Sequence, residues 1–284
     1  MRRFLFSLLL AAFIAPLAAQ PDETYNFNPG RPGFAYGSTP LLRHTISAEA
    51  FVRTDGFAYM PLTEAGHVLN RYTVRYSPLD RLELALGVGL EHIPSNPAGQ
   101  RTMLSPLSLM ARINILKKQG NLPGLAFIGE LSLPVGAGSS EAVSPGVNPT
   151  GVIAIDHNYK RFSFIYNVGA EWLLDDHGVD LFYAFMVCYG VDTKGRWNIY
   201  GEFVGHHAWA WDFEDGNDEW KFKGILYDLK FRFGADFFIT KNLKLDFSFA
   251  LNPFYVELQG EIGLSYGIPL KNCNGNADRR HIKT

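Results

Sequence analysis

The sequence has few cysteines, almost no helical periodicity and no long apolar run beyond its first 20 residues. Cys188 lies in an apolar stretch and Cys273 in a polar one, so we predict that both are unpaired and exclude a disulfide framework. A membrane-spanning helix needs roughly 18 consecutive apolar residues, and no later segment approaches this. A helical membrane protein is therefore excluded.

The sequence also lacks an excess of positive or negative charge, because it has 26 Lys and Arg residues and 28 Asp and Glu residues. No positive field points to nucleic acid, which is therefore not expected as a partner. There is no Gly-x-Ser-x-Gly motif and no serine convincingly combined with a histidine and an acid. We therefore expect neither an enzyme nor a cofactor or metal site.

The chain divides into four parts. Residues 1–19 combine Arg2 and Arg3 with an apolar run and a Leu-Ala-Ala end, which predicts a bacterial secretory signal peptide. Residues 20–43 are rich in Gly and Pro and form either a periplasmic leader or a partial plug. Residues 271–284 are a polar C-terminal tail, and residues 44–270 carry the alternating pattern described next.

Apolar and polar residues alternate along most of residues 44–270. In LKLDFSFALN, apolar Leu243 to Leu251 occupy every second position and Lys244, Asp246 and Ser248 lie between them. Similar segments predict about twelve strands, most of which have the roughly 9–11 residues that cross a bilayer at a tilt. Short turns such as DTKG alternate with longer loops, including 135–149 and 207–223. This asymmetry is typical of outer-membrane barrels.

Two folds could explain the alternation. In a soluble sandwich the apolar face would be the core, whereas in a membrane barrel it would contact lipid. Twelve strands closed into one barrel enclose more space than inward apolar side chains would fill. We therefore predict an all-β fold, a transmembrane antiparallel up-and-down β-barrel of about 12 strands with a polar interior.

Three segments carry a resemblance to a known family. They are RPGFAYGSTPLLRHTISAEAFV at Arg31–Val52, RYSPLDRLELALGVG at Arg75–Gly89 and PGLAFIGELSLPVG at Pro123–Gly136. The chain resembles the transporter-like outer-membrane barrels labelled MetA-pathway of phenol degradation over nearly its whole mature length. The resemblance implies a barrel and passage of small molecules, although none of these motifs is catalytic. The chain departs from it at the C-terminus, where a polar tail follows Tyr266 instead of a terminal aromatic residue.

The inward face of the predicted barrel contains both signs of charge. The candidate lumen-lining or transport residues are Glu49, Arg53, Arg71, Arg75, Arg81, Glu83, Arg112, Glu130, Glu171, Glu202, Asp228, Lys230, Arg232, Glu257 and Glu261. They either position a solute or brace the wall as ion pairs, since unpaired charges in a narrow lumen are costly. The Arg53, Arg71 and Arg75 cluster is the main candidate for attracting anions.

The predicted loop 207–223 and the residue before it contain histidines, tryptophans and several acids. The residues that could contact a ligand, such as an aromatic molecule, are His206, His207, Trp209 and Trp211. The acids could bind a divalent cation, but they do not follow the spacing of an EF-hand. The alternative is a solvated outer loop with aromatic side chains resting on the rim.

These features predict a porin-like barrel in the bacterial outer membrane for passive or facilitated passage of small molecules, including hydrophobic or aromatic ones. The expected partners are outer-membrane lipid, a small-molecule solute and the barrel-assembly machinery. The alternative is a structural or surface-interaction barrel whose lumen is closed by its own charge network.

Overall fold

A computed structural model describes residues 33–57, 67–93, 101–119, 122–134, 146–173, 178–214, 219–254 and 257–270. The predicted signal peptide, the first part of the Gly/Pro-rich segment, the polar tail and Cys273 lie outside these residues. Cys188 has a free thiol, as expected.

Twelve strands run through the described residues. They are β1 (Thr45–Phe57), β2 (His67–Leu79), β3 (Leu82–Ile93), β4 (Arg101–Leu116), β5 (Gly124–Leu133), β6 (Asn148–Tyr159), β7 (Phe162–Leu173), β8 (Gly178–Gly190), β9 (Trp197–Glu214), β10 (Glu219–Phe238), β11 (Leu243–Asn252) and β12 (Glu257–Pro269). Each strand pairs antiparallel with the next, and β1 pairs with β12 from Thr45↔Pro269 to Phe57↔Glu257. The predicted closed barrel is confirmed. None of the described residues belongs to a helix long and apolar enough to span a membrane.

The two faces of the wall differ sharply in exposure. Val168 is 64% and Phe247 51% exposed on the outer surface, whereas Glu83 and Asp246 are fully buried on the inner one. Apolar side chains therefore point outward and charged ones inward, as the alternation predicts. In water such an apolar surface would be costly, but in acyl chains it is solvated.

The short connections lie together at one end of the barrel, called the turn end here. They join β2 to β3 at 80–81, β6 to β7 at 160–161 and β10 to β11 at 239–242. Aromatic rings meet on the outer surface near this end, with Phe162 and Tyr189 at 4.9 Å and Trp197 and Phe237 at 4.0 Å between centroids. Such rings suit the interface between lipid and water. The opposite end is called the loop end.

The prediction of a loop over 207–223 is wrong for residues 207–214 and 219–223. These residues extend β9 and β10, which pair from Glu219↔Glu214 through Tyr227↔His207 to the turn end. The pairing uses backbone groups, and no turn-forming cluster occurs before Asp215-Gly216-Asn217-Asp218. The strands have 18 and 20 residues, more than the roughly 9–11 needed to cross a bilayer. The hairpin therefore extends past the membrane at the loop end.

Placing a charge on the outer surface should destabilise the barrel. Phe247 lies in the middle of β11 beside Ile262 of β12. We expect Phe247→Arg to lower the free energy of unfolding by about 2–4 kcal/mol more than Phe247→Ala, because the guanidinium must enter hydrocarbon. Urea unfolding in liposomes measures the difference. Equal stability of the two variants would place this surface in water.

Candidate functional site

Residues 33–43, called the lumen segment here, run inside the barrel. The backbone N–H groups of Phe34 and Ala35 donate to Glu202 Oε1 of β9 at 2.8 and 2.6 Å. The N–H of Tyr36 donates to Asn167 Oδ1 of β7 at 2.6 Å, and Asn167 Nδ2 donates back to the Tyr36 carbonyl at 2.9 Å. Side chains of the inner wall thus form hydrogen bonds with backbone groups of the segment that would pair with a neighbouring strand in a sheet.

The segment continues to the turn end along other strands. The Ser38 hydroxyl donates to Asp156 of β6, and the Ser38 carbonyl accepts from Asn114 Nδ2 of β4 at 2.9 Å. The N–H of Leu41 donates to Glu83 Oε2 of β3 at 2.7 Å. Ser38 and Leu41 are both buried. The lumen segment is therefore bonded to strands on several sides of the barrel.

Two residues of the segment have special local requirements. Gly33 has a φ of +87°, which L residues rarely adopt, and an added Cβ would lie 3.0 Å from the Glu202 carboxylate oxygens. The Tyr36 hydroxyl donates to Glu130 Oε2 at 3.3 Å. The Glu130 carboxylate and burial raise the pKa of this hydroxyl, so it keeps its proton.

The most deeply buried charges form a network around Arg75. Its guanidinium donates to Glu49 at 2.9 Å and to Glu83 at 2.6 Å. Arg112 also approaches Glu83, at 3.3 Å. All four residues are buried in the lumen wall. A buried cation with two carboxylates braces the wall and leaves little free charge for a solute.

A second network surrounds Arg232. Its guanidinium lies 3.7 Å from Glu202 and 3.5 Å from Glu261, and its Cζ lies 4.0 Å from the centre of the Phe34 ring. Glu202 thus contacts Arg232 and also accepts the backbone of the lumen segment. Glu202 therefore links the lumen segment to the network around Arg232.

The remaining cations of the inner wall also have acidic neighbours. Arg53 lies 3.2 Å from Asp55, and Arg71 lies 3.5 Å from Glu130. Lys230 lies 3.3 Å from Asp228 and 3.4 Å from Glu257. Each arginine in the cluster of Arg53, Arg71 and Arg75 therefore has a carboxylate within ion-pair distance.

Fourteen of the fifteen predicted lumen residues lie on the inner wall. Glu171 is among them and faces Asp180 across β7 and β8. Arg81 does not, because β3 begins only at Leu82; Arg81 is exposed in the turn and donates to the Ile115 carbonyl at 3.5 Å. The alternation assigned Asn167 to the inner face, but no sequence signal paired it with Tyr36.

The predicted loop ligands belong to β9 instead. His206 points inward, with Nδ1 2.9 Å from Asp180, whereas His207 lies 3.2 Å from the Tyr183 hydroxyl. The rings of His207 and Trp209 have centroids 6.4 Å apart, and the side chain of Trp211 lies outside the described residues. Within the described ranges no three His, Cys, Asp or Glu residues could hold a metal ion.

Two cavities flank the lumen segment. One of about 170 Å³ lies between Phe34 and Tyr36 of the segment and the wall residues Phe51, Arg71 and Met110. The other, of about 300 Å³, lies at the turn end and is lined by residues of the segment together with side chains such as Asn114 and Lys118. The segment thus fills part of the lumen and leaves space on either side of itself.

Removing the central cation of the first network should be costly. We expect Arg75→Ala to lower the free energy of unfolding by about 3–5 kcal/mol, because Glu49 and Glu83 lose their shared buried partner. The matched control is Arg81→Ala, which removes an exposed arginine at the next turn and should change stability by less than about 0.5 kcal/mol. Urea unfolding in liposomes compares them. Equal effects would show that the Arg75 network does not stabilise the barrel.

Comparison with known proteins agrees with this architecture. A family model described as "Putative MetA-pathway of phenol degradation" matches residues 24–257. The COG4313 outer membrane channel from Pseudomonas putida F1 is similar with a TM-score of 0.58 and 16% identity, over 88% of this chain and 100% of that one. The NanC porin is similar with a TM-score of 0.52 and 9% identity, over 76% and 98% of the two chains. No curated protein matches the sequence.

Identities this low show a shared fold and nothing finer. The family model, in contrast, spans most of the sequence, from ahead of the lumen segment to the first residue of β12. The chain belongs to the family described as MetA-pathway of phenol degradation.

Proposed function

We propose that the protein is a bacterial outer-membrane channel for passive or facilitated passage of small molecules, including hydrophobic or aromatic ones. The observation that carries this is a closed barrel with an apolar outer surface and a polar lumen that retains a cavity of about 170 Å³. Family membership and the fold shared with an outer membrane channel support it.

The same observations support the cellular placement. The apolar outer surface suits direct contact with outer-membrane lipid, and closure leaves no unpaired strand edge in hydrocarbon. Export by the predicted signal peptide and insertion by the barrel-assembly machinery are parts of the proposal.

The cavity beside the lumen segment has the volume of one small ring and is lined by both apolar and charged side chains. A dry cavity of about 150 Å³ in another protein binds benzene, so a space of this size accepts one small ring. Phe34 and Phe51 offer apolar surface, and Arg71 offers hydrogen-bond donors. No catalytic group is needed for passage.

In this proposal the lumen segment sets the narrowest part of the route as a partial plug. Its bonds to Glu202 of β9 and Glu83 of β3, which are six strands apart in the closed wall, hold it across the bore instead of along one wall. Solutes would pass beside it, through the two cavities that flank it.

One observation favours a second candidate, a structural or surface-interaction barrel. The networks around Arg75 and Arg232, together with the bonded segment, fill much of the lumen. Conductance of the purified full chain in a planar bilayer separates the two functions. Reproducible open channels support passage, and a silent barrel supports the structural role.

Loosening the lumen segment should enlarge the route. We expect Glu202→Ala combined with Asn167→Ala to raise single-channel conductance, because the amides of Phe34, Ala35 and Tyr36 lose their acceptors. The matched control is Gln259→Ala, which removes a buried inward amide whose Nε2 donates to Glu257. Unchanged conductance in a folded double variant would show that the segment does not limit passage.

A further inference from the structure

Charge is distributed unevenly around the lumen. Strands β5 to β9 contain no lysine or arginine, since the four in this part of the chain, Lys160, Arg161, Lys194 and Arg196, lie in turns. Among the side chains that the structure describes, the same strands place five acids on the inner wall, namely Glu130, Asp156, Glu171, Asp180 and Glu202. The described inner face of these strands therefore has five acids and the histidine His206, but no lysine or arginine.

The five acids differ in how they are used. Asp156 accepts from Ser38 and pairs with Lys118 at 2.8 Å, and Glu202 accepts from the lumen segment. The other three, Glu130, Glu171 and Asp180, lie nearer the loop end and are called the acidic wall here. Asp156 and Glu202 therefore hold the segment, and Glu130 of the acidic wall also contacts it, through the Tyr36 hydroxyl.

Strand register places the acidic wall in one continuous row. Glu130 faces Thr150, Thr150 faces Glu171, and Glu171 faces Asp180. Directly opposed residues have Cα atoms about 4.5–5.5 Å apart. Three carboxylates thus lie within four neighbouring positions around the inside of the barrel.

Few positive groups oppose this row. Arg71 lies 3.5 Å from Glu130, and His206 Nδ1 lies 2.9 Å from Asp180. Among the described residues no lysine, arginine or histidine forms an ion pair with Glu171. The wall itself therefore compensates the negative charge of this row only in part.

Two side-chain oxygen atoms, one beside the row and one within it, lack a hydrogen-bond donor. Asn148 lies on β6 two positions before Thr150, is only 7% exposed, and has a side-chain oxygen without a hydrogen-bond donor. Oδ1 of Asp180 also lacks a donor. A buried acceptor without a donor keeps its partial negative charge uncompensated, which adds to the negative potential of this part of the wall.

The described inner wall as a whole also has more acidic than basic side chains. Its inward strand positions carry fourteen carboxylates, Glu49, Asp55, Glu83, Glu91, Glu130, Asp156, Glu171, Asp180, Glu202, Asp228, Asp236, Asp246, Glu257 and Glu261. They carry seven lysines and arginines, Arg53, Arg71, Arg75, Arg112, Lys230, Arg232 and Lys244. Carboxylates therefore outnumber cations on the inner wall, and the arginine cluster is already paired with acidic neighbours.

We propose that the lumen favours small monovalent cations, including organic ammonium ions, over anions, and that the acidic wall determines this preference. The inference rests on the proposed passage through the barrel and deepens it by naming the charge class of the solute. Rings of Asp and Glu select cations in other channels by the same attraction.

The test is the reversal potential of the purified full chain in a planar bilayer under a KCl gradient. We expect a cation-to-anion permeability ratio above 1 and a ratio at least about twofold lower in the double variant Glu171→Gln with Asp180→Asn. Both substitutions keep the side-chain shape and remove the charge. If the double variant does not fold, the single variant Glu171→Gln should lower the ratio in the same direction.

The matched control is Asp192→Asn, which removes one carboxylate from the turn between β8 and β9, keeps the oxygen that accepts from the Arg196 amide, and should leave the ratio unchanged. A conducting barrel that prefers anions would overturn the inference and leave passage intact, as would a folded charge-removing variant with the native ratio. A silent barrel would overturn passage and the selectivity together.

Discussion

The structure depends on one constraint, that backbone N–H and C=O groups in hydrocarbon must be paired within the protein. A sheet meets this constraint only when it closes, and here pairing of β1 with β12 closes it. Closure then assigns every second side chain to lipid and the others to the bore. The exposed Phe247 and the fully buried Asp246 next to it are direct results of that assignment.

Inside the barrel it is the polar side chains, and not only the backbone groups, that need hydrogen-bond and ion-pair partners. Carboxylates, amides and guanidinium groups that face inward need partners, and a barrel of this width leaves space between opposite walls. The lumen segment supplies some of those partners, because its backbone bonds Glu202, Asn167 and Glu83. Ion pairs such as Arg75 with Glu49 satisfy others. Polar matching, more than apolar packing, therefore organises the interior.

The fold was predictable where a local pattern determines it. The alternation in LKLDFSFALN predicts β11 at Leu243–Asn252, the same bounds that the structure has. The prediction failed at residues 207–214 and 219–223, because adjacent aromatic and charged residues resemble a loop although their backbones pair. Arg81 was wrongly assigned to the inner wall because β3 begins one residue after it, at Leu82.

The candidate site was predictable only in part, for a physical reason. Alternation determines which way Glu202 points, but its bond to Ala35 joins residues 167 positions apart. No spacing rule reaches that far, since the contact depends on which strands close beside each other. The pairing of the arginine cluster with carboxylates depends on the same three-dimensional closure, so the sequence suggested positive charge where the structure has balanced pairs.

The position of the lumen segment has a topological consequence. The segment precedes β1, and the seam between the first and last strands completes the cylinder around it. A chain enclosed in this way cannot leave sideways without breaking the ladder of the wall. Any displacement of residues 33–43 must therefore follow the long axis of the cylinder, and its extent is limited because the chain is fixed in the wall from Thr45 onward.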